Sequence, residues 1–464
     1  MNLKSVFSYL GLILVGLSVS ILLPLLLSVA IDDGVYIPFL LGAFVSSVLG
    51  IVLMKKFKRE SLTLGSAMVL ACLSFLAVSL LGSIVYLDHL SPLDAFFESV
   101  SGFTTTGLTT VKPETLPYSI LFWRSLTQWL GGAGMLMIVV LLMSSPGMSA
   151  YYVYRTETKS SRTEANVYSN AKKIFMIYGG FTLAGILLFM LAGMPAFDSV
   201  NHAFTSISTG GFSVKNNSLG YYSNPLIETV AVILMVLGAT SLFMHRKIFE
   251  KKFAEYARNS ETQIFWFLII VFSVLVSLSM LSLSEPLRMG IFHTFSALTS
   301  GGYNLGIKAY PDLSKFLLII LMIIGGFAGS IAGGLKLARV GIFGKAITWV
   351  SKKIFYPSSA VVPFKFNRRM INGEELAIVS LFSFVYISVL VISAMALSFM
   401  GYAPMDSFFV SASAEGTTGL TTIDIAAMAP AGKLILTADM LLGRLEILPF
   451  FVLFFVIYSR IKTR

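Results

Sequence analysis

Ten long apolar runs punctuate the chain, at 6–29, 35–54, 62–86, 118–143, 171–193, 222–244, 263–284, 313–345, 375–400 and 431–459. A helix needs about 20 apolar residues to cross the roughly 30 Å hydrocarbon core of a bilayer, so each run predicts a membrane span. An even number of spans places both termini on one side. The first run, Val6 to Leu27, ends at Ser28-Val29-Ala30, which has the small residues of a cleavage site. It exceeds the roughly 7–15 residues of a signal-peptide core and reads as a retained first helix.

Four stretches between alternate spans break this pattern. Residues 92–112, 195–215, 286–306 and 404–423 are too short to cross and too apolar for ordinary loops. Stacked, they read FESVSGFTTTGLTT, HAFTSISTGGFSV, HTFSALTSGGYNL and VSASAEGTTGLTT, with Gly107, Gly211, Gly302 and Gly419 in one column. Thirteen residues before that glycine stand Asp94, Asp198, Met289 and Asp406; six before it stand Ser101, Thr205, Ser296 and Ser413. Fifteen or sixteen before it stand Pro92, Pro195, Pro286 and Pro404. This is a fourfold internal repeat.

Proline at the start and aspartate in the first turn mark a helix N-terminus. Eight to ten apolar residues follow, about 12–15 Å of helix, or half a bilayer. The chain then returns as Gly/Thr backbone, which is tolerated at membrane depth only where protein buries it or water bathes it. Glycine permits the positive φ that lets successive carbonyls face one axis. Each repeat is therefore span, half-helix, glycine turn, span. Two full crossings return the chain to its starting side, so all four copies share one orientation. An inverted-repeat transporter needs an odd number of crossings per repeat. The copies must surround an axis along the membrane normal, where their carbonyls form a ring that can replace the hydration shell of K+. The half-helices aim their partly negative C-terminal ends at the centre, which favours a cation.

Composition agrees. Of 464 residues, 56% are hydrophobic and 12% charged, against about 25% charged in ordinary soluble chains. A soluble fold, a disordered chain and, with Cys72 as the lone cysteine, a disulfide scaffold are all excluded. The net charge of +11 comes in short basic clusters between apolar runs, such as 55–59, Arg246-Lys247, Lys251-Lys252, Lys352-Lys353 and Arg368-Arg369. With the N-terminus in the cytoplasm, 26 of the 34 Lys and Arg fall on the inside, seven outside, and Arg444 within the last span. That is the positive-inside pattern, with both termini cytoplasmic, and it argues against nucleic acid as a partner. The fold class expected is an all-α polytopic membrane protein. Residues 1–60 supply two additional N-terminal helices. Four M1–pore-helix–M2 repeats follow at 61–150, 151–255, 256–350 (its second span broken) and 351–464, in pseudo-fourfold arrangement around one pore.

At these residues the chain resembles the Trk/Ktr/HKT superfamily of K+ transporters, its TrkH-type members most of all. Further stretches carry the likeness: Trp123-Arg124 leading to Gln128-Trp129-Leu130-Gly131-Gly132; Ile207 to Phe212; Gly325 to Ser330 with Gly333-Gly334-Leu335-Lys336; and Gly443-Arg444-Leu445-Glu446. The resemblance spans about residues 62–464. It implies K+ uptake across the plasma membrane by a homodimer with one pore per subunit, embedded in lipid and controlled by a cytosolic TrkA-type nucleotide-binding subunit. It also implies a K+ filter formed by Thr105, Thr106 and Gly107; Thr209, Gly210 and Gly211; Ser300, Gly301 and Gly302; and Thr417, Thr418 and Gly419. In some plant relatives serine replaces the first filter glycine and goes with Na+ preference; here that position is Gly107, so K+ selectivity is implied. K+ is the transported ligand and no covalent cofactor is expected.

Two features interrupt full spans. Residues 325–334 hold five glycines, Gly325, Gly326, Gly329, Gly333 and Gly334, and lack the strand and GxGxxG spacing of a dinucleotide site. They predict a broken helix that forms a loop beneath the filter. Arg444 lies near the middle of the last span, where charges usually face a bundle interior. Together they are expected to form the gate. His89, His202, His245 and His293 have no ligand spacing for a metal, and no nucleophile–base set points to an enzyme. Glu98 and His202 are expected to brace the filter. Glu415 occupies a position where the other repeats have Phe103, Ile207 and Leu298. A carboxylate there must be hydrogen-bonded, paired or protonated. An alternative to a channel-like pore is a Na+- or H+-coupled K+ symporter, for which Glu415 and Glu446 are the candidate carboxylates.

Overall fold

In the computed structural model, residues 3–144, 164–306, 311–357, 362–367 and 369–462 are described. The elements in order are α1 (Leu3–Ile31), α2 (Tyr36–Lys56), α3 (Leu64–Gly82), α4 (Pro92–Phe103), α5 (Tyr118–Ser144), α6 (Glu164–Leu191), α7 (Ala196–Ile207), α8 (Pro225–Ala239), α9 (Leu242–Phe249), α10 (Phe253–Ala257), α11 (Ser260–Ser279), α12 (Pro286–Leu298), α13 (Asp312–Ile324), α14 (Leu337–Ile354), a two-residue hairpin of β1 (Lys365–Phe366) and β2 (Arg369–Met370), α15 (Gly373–Phe399), α16 (Pro404–Glu415), α17 (Pro430–Arg444) and α18 (Leu448–Lys462).

The all-α architecture is four copies of one unit after an N-terminal pair. α1 and α2 form that pair. The repeats are α3–α4–α5, α6–α7–α8/α9, α11–α12–α13/α14 and α15–α16–α17/α18. The second span of each repeat packs on the half-helix of the next: α5 on α7, α8 on α12, α13 on α16 and α17 on α4. The last contact closes the circle, so the pseudo-fourfold arrangement is a sealed ring.

The half-helices α4, α7, α12 and α16 start where proline and the cap residues predict. Ser91 caps α4 by accepting from the Asp94 N–H, and Pro92 occupies its first turn, where a missing N–H costs nothing. They run 12 or 13 residues rather than eight to ten, about 18 Å at 1.5 Å per residue. The added turn comes from the polar Ser and Thr near each C-terminus. Thr205 and Thr294 return their hydroxyls to carbonyls four residues back and so remain compatible with helix.

Among the described residues six helices are long and apolar enough to cross a membrane. Their outer faces are rich in exposed Leu, Ile and Phe, such as Leu183, Leu187, Phe267, Ile270, Leu381 and Phe384. The expected single spans at 222–244, 313–345 and 431–459 are instead two helices each. The break at 325–334 was expected and extends to Lys336. The breaks at Thr240-Ser241 and at 445–447 were not. At the first, the Ala239 carbonyl accepts from Phe327 and leaves the helical ladder. At the second, Glu446 and Ile447 both adopt positive φ ahead of Pro449, whose ring is incompatible with a helical residue four back.

The N-terminal pair is tied to the first repeat through Asp33, which accepts from Ser28 and, at 3.0 Å, from the Ser119 N–H that opens α5. Partial burial pushes this carboxyl up, and its hydrogen bonds to Ser28, Ser119 and Val35 outweigh that and leave it below its ordinary value.

Candidate functional site

The four glycine turns have one backbone conformation. Gly107, Gly211, Gly302 and Gly419 have φ between 74° and 92°, and Thr105, Thr209, Ser300 and Thr417, two residues earlier, have φ between 46° and 54°. The residue between them turns its N–H back to its own half-helix: Thr106 to the Ser101 carbonyl, Gly210 to Thr205, Gly301 to Ser296 and Thr418 to Ser413, all at 2.8–2.9 Å. Amides spent backward leave carbonyls facing the other way. Of the twelve carbonyls of residues 105–107, 209–211, 300–302 and 417–419, only that of Gly210 accepts a hydrogen bond among the described residues, from Gln128 Nε2 at 2.6 Å.

These turns meet one another. A Cβ on Gly107 would overlap the Gly210 carbonyl, one on Gly211 would sit 2.8 Å from the Gly301 oxygen, one on Gly302 would overlap Thr418, and one on Gly419 would overlap Thr106. The order is repeat one to two to three to four and back to one. All twelve expected filter residues are therefore brought into one ring. Only glycine fits the column position, because φ is positive there and the neighbouring backbone fills the space of a side chain.

The surroundings are built to hold the ring still. Glu98 on α4 and Arg124 on α5 form a buried pair at 3.2 Å, exposed 0% and 2% at their side chains. Glu98 also accepts from the Thr110 N–H and the Thr109 hydroxyl at 2.6 Å. Arg124 reaches across to the Ser213 carbonyl at 3.2 Å and lies 4.1 Å over the Phe212 ring. Gln128 clamps the second turn at both ends, since its Oε1 accepts from the Phe212 N–H at 3.1 Å. His202 meets the Ser213 hydroxyl at 3.0 Å, and the Tyr303 hydroxyl bonds Thr205 and Ser206 on the neighbouring half-helix. Glu98 and His202, expected as braces, thus bond the segments that follow the turns of their own repeats; the contacts of Arg124, Gln128 and Tyr303 were not expected.

A belt of ion pairs links the repeats where the half-helices begin. Lys433 meets Asp94 at 2.6 Å, Lys315 meets Asp406 at 3.0 Å, and Arg288 meets Glu228 at 2.5 Å. Lys215 stands 3.8 Å from Asp198 within the second repeat. With Arg124, these are five of the seven basic residues expected on the outside. Each answers a specific acid, which explains why they depart from the charge pattern. The missing aspartate at Met289 is compensated by Arg288, which turns to Glu228 on α8.

At the C-terminal ends of the half-helices the glycine-rich segment 325–336 forms a buried loop between α13 and α14. Phe327 and Ile331 donate to the Ala239 and Gly238 carbonyls, and Gly333 donates to Ser300 Oγ at 3.2 Å. A Cβ on Gly333 would overlap the Gly416 carbonyl. The loop thus sits against the last turns of the second to fourth repeats. Arg444 holds it: one guanidinium nitrogen donates to the Ile331 carbonyl at 2.7 Å and another to the Gly131 carbonyl of α5 at 2.9 Å. Arg444 is 2% exposed. Gly325, Gly326, Gly329, Gly333, Gly334 and Arg444 are therefore brought together beside the ring. Lys336 is buried at the end of the loop and donates to the Ala332 carbonyl.

Of the two candidate coupling carboxylates, Glu446 is neutralised by Arg339 at 2.5 Å. Glu415 is fully buried and neither of its oxygens has a hydrogen-bond partner among the described residues. No group of His, Cys, Asp and Glu among the described residues could hold a metal ion. Arg368 of the basic clusters lies outside the described residues.

Comparison with known proteins places this geometry. The family described as TrkH, cation transport protein, matches residues 39–263 and 259–461. A cation transporter of Methanocaldococcus jannaschii is 33% identical over 99% of this chain and 97% of its own length. The Trk system potassium uptake protein TrkH of Salmonella typhimurium is 31% identical over 98% of this chain and 99% of its own. The crystal structure of the potassium transporter TrkH from Vibrio parahaemolyticus superposes with a TM-score of 0.88 and 27% identity, covering 98% of both chains.

Proposed function

The chain belongs to the TrkH family of cation transport proteins, and on that footing we propose that it takes up K+ through a K+-selective, channel-like pore. One observation carries this reading. Eleven main-chain carbonyls that accept no hydrogen bond among the described residues are gathered into one ring at the ends of four half-helices. Buried carbonyls without a donor are costly, and a dehydrated cation on the axis supplies what they lack. The half-helix dipoles add to the attraction for positive charge.

In this reading Thr105–Gly107, Thr209–Gly211, Ser300–Gly302 and Thr417–Gly419 line the filter, and Glu98, Arg124, Gln128 and Tyr303 keep its width constant. Size discrimination needs such rigidity, because a ring free to contract would accommodate Na+ as well. The segment 325–336 and Arg444 form the gate. The guanidinium places a permanent positive charge near the ion path and clamps the loop through two carbonyls. Glycines let the loop leave when α14 is pulled.

The unequal distribution of Lys and Arg supports cytoplasmic termini and a multi-pass protein of the plasma membrane. The basic segments 246–258 and 336–369 would then face the cytosol and receive a TrkA-type nucleotide-binding regulator, with two subunits pairing in the membrane. The domain limits proposed are 1–60, 61–150, 151–255, 256–350 and 351–464. The second reading, K+ symport coupled to Na+ or H+, is favoured by one feature, the unpaired Glu415.

Growth rescue of a K+-uptake-deficient cell on low K+, together with Rb+ and Na+ flux into proteoliposomes, tests the proposal. Rescue with Rb+ flux well above Na+ flux is expected. Equal Rb+ and Na+ flux would refute it, and flux driven uphill by an imposed Na+ or H+ gradient would select the symporter.

A further inference from the structure

Behind the fourth turn lies a polar cluster that the ion path does not use. Glu415 ends α16, two residues before Thr417. Its carboxyl is 0% exposed and neither oxygen has a hydrogen-bond partner. Asp439 on α17 is 2% exposed; its Oδ1 accepts from Ser393 on α15 at 2.7 Å, and its Oδ2 has no partner. Tyr386 on α15 is 1% exposed, and its hydroxyl too is without a partner. α15, α16 and α17 pack on one another, and on α17 a Cβ on Gly443, one turn after Asp439, would overlap the Glu415 carbonyl.

The charged groups on the elements packed around α16 are engaged elsewhere. On α13, Lys315 holds Asp312 and Asp406. On α15, Glu375 is paired with Arg369 at the opposite end of the helix from the half-helix side. On α17, Lys433 holds Asp94, and Arg444 is spent on the Ile331 and Gly131 carbonyls. Among the described residues no ion pair includes Glu415 or Asp439.

An isolated carboxylate out of water costs several kcal/mol even after relaxation, so it neutralises instead. Two carboxyls on adjoining helices cannot both ionise without a further penalty, so at least one stays protonated. A proton needs a single lone pair and no coordination shell. An alkali cation needs several oxygens to replace its water.

We propose that Glu415 and Asp439 form a proton-binding site next to the fourth turn that holds at least one proton at neutral pH. The proton keeps the end of α16 neutral beside Thr417 and Gly419. Its loss at alkaline pH puts a net negative charge next to the ring and loosens the packing of α15, α16 and α17. Ion passage therefore responds to pH through this site. The protonation stands on burial and missing partners; its effect on ion passage rests on the proposed pore.

Infrared difference spectra of the purified full chain test it directly. At pH 7 and in K+ buffer, the wild type should show the carbonyl stretch of a protonated carboxylic acid that is lost in Glu415→Gln, in Asp439→Asn, or in both. The band should vanish on raising the pH. In proteoliposomes, wild-type Rb+ flux should change at least twofold across that same pH range, and the change should be absent in Glu415→Gln/Asp439→Asn. Both substitutions are neutral and nearly isosteric; should one fail to fold, the other single variant supplies the spectral comparison. Spectra identical in wild type and variants would overturn the proposal. So would a band that appears in the wild type only after Na+ and K+ are removed, since an alkali cation then occupies the site.

Discussion

Replacing Arg444 is the sharpest test of the proposed gate. The guanidinium makes two charge-assisted hydrogen bonds, to Ile331 in the loop and to Gly131 in α5. Bonds from a charged donor contribute about 1.5–3 kcal/mol each. Taking the lower value twice, release of the loop becomes easier by about 3 kcal/mol. The charge acts separately. Two unit charges roughly 5 Å apart at an effective dielectric constant of about 20 repel by about 3 kcal/mol. Each effect alone corresponds to roughly a hundredfold at about 1.4 kcal/mol per tenfold. Arg444→Gln removes both, so basal flux should rise at least a hundredfold, until the ring itself limits it. Arg444→Lys keeps the charge, but a point-like ammonium cannot span two carbonyls as the planar fork does. It should give only the share due to loop release. The assay is Rb+ uptake into proteoliposomes without a cytosolic partner, with the Rb+/Na+ ratio measured alongside. That ratio should not change, because the ring is untouched. Flux that stays level or falls in both variants, with the protein folded and monodisperse, would show that Arg444 and the loop serve packing.

Three further expectations follow from the geometry. Gly107→Ser, Gly211→Ser, Gly302→Ser and Gly419→Ser each push a side chain into the neighbouring turn at positive φ. K+/Na+ discrimination should drop about tenfold, equivalent to about 1.4 kcal/mol, and unchanged ion flux ratios in all four would refute the ring assignment. Arg124→Met leaves Glu98 buried without its cation and should cost about 3–5 kcal/mol. Thermal unfolding in detergent would show this, with much of the loss recovered in Arg124→Met/Glu98→Gln; a melting curve unaffected by Arg124→Met would refute the bracing role. Lys251→Glu/Lys252→Glu reverses two exposed charges on the basic face and should weaken binding of a cytosolic regulator about tenfold or more. Equal co-purification with both forms would leave the clusters as plain topology signals.

Hydropathy and the repeat were enough to establish the all-α membrane fold, the four half-helices and the column of glycines. These are consequences of local rules. A span needs a minimum apolar length, a half-helix starts at proline and a cap, and a positive φ inside a crowded ring demands glycine. The broken helix at 325–336 was legible for the same reason, since five glycines in ten residues cannot sustain a span. The break at 445–447 had a signal in Pro449 that competed with an unbroken apolar run. The break at Thr240-Ser241 had almost none, because its cause lies in another repeat: Phe327 takes the Ala239 carbonyl from the helix.

What the chain order could not reveal is who meets whom. Arg124, Lys315, Lys433 and Arg288 look alike as isolated charges near span ends, and only the closed ring assigns each its acid, up to 339 residues away for Lys433 and Asp94. Glu415 and Glu446 likewise looked equivalent as acids in apolar surroundings. Tertiary packing separates them, giving Glu446 the guanidinium of Arg339 and leaving both Glu415 oxygens without a hydrogen-bond partner among the described residues. The physical reason is that hydropathy and turn chemistry are read from neighbours along the chain, whereas the cost of a buried charge depends on the groups that distant segments bring up to it.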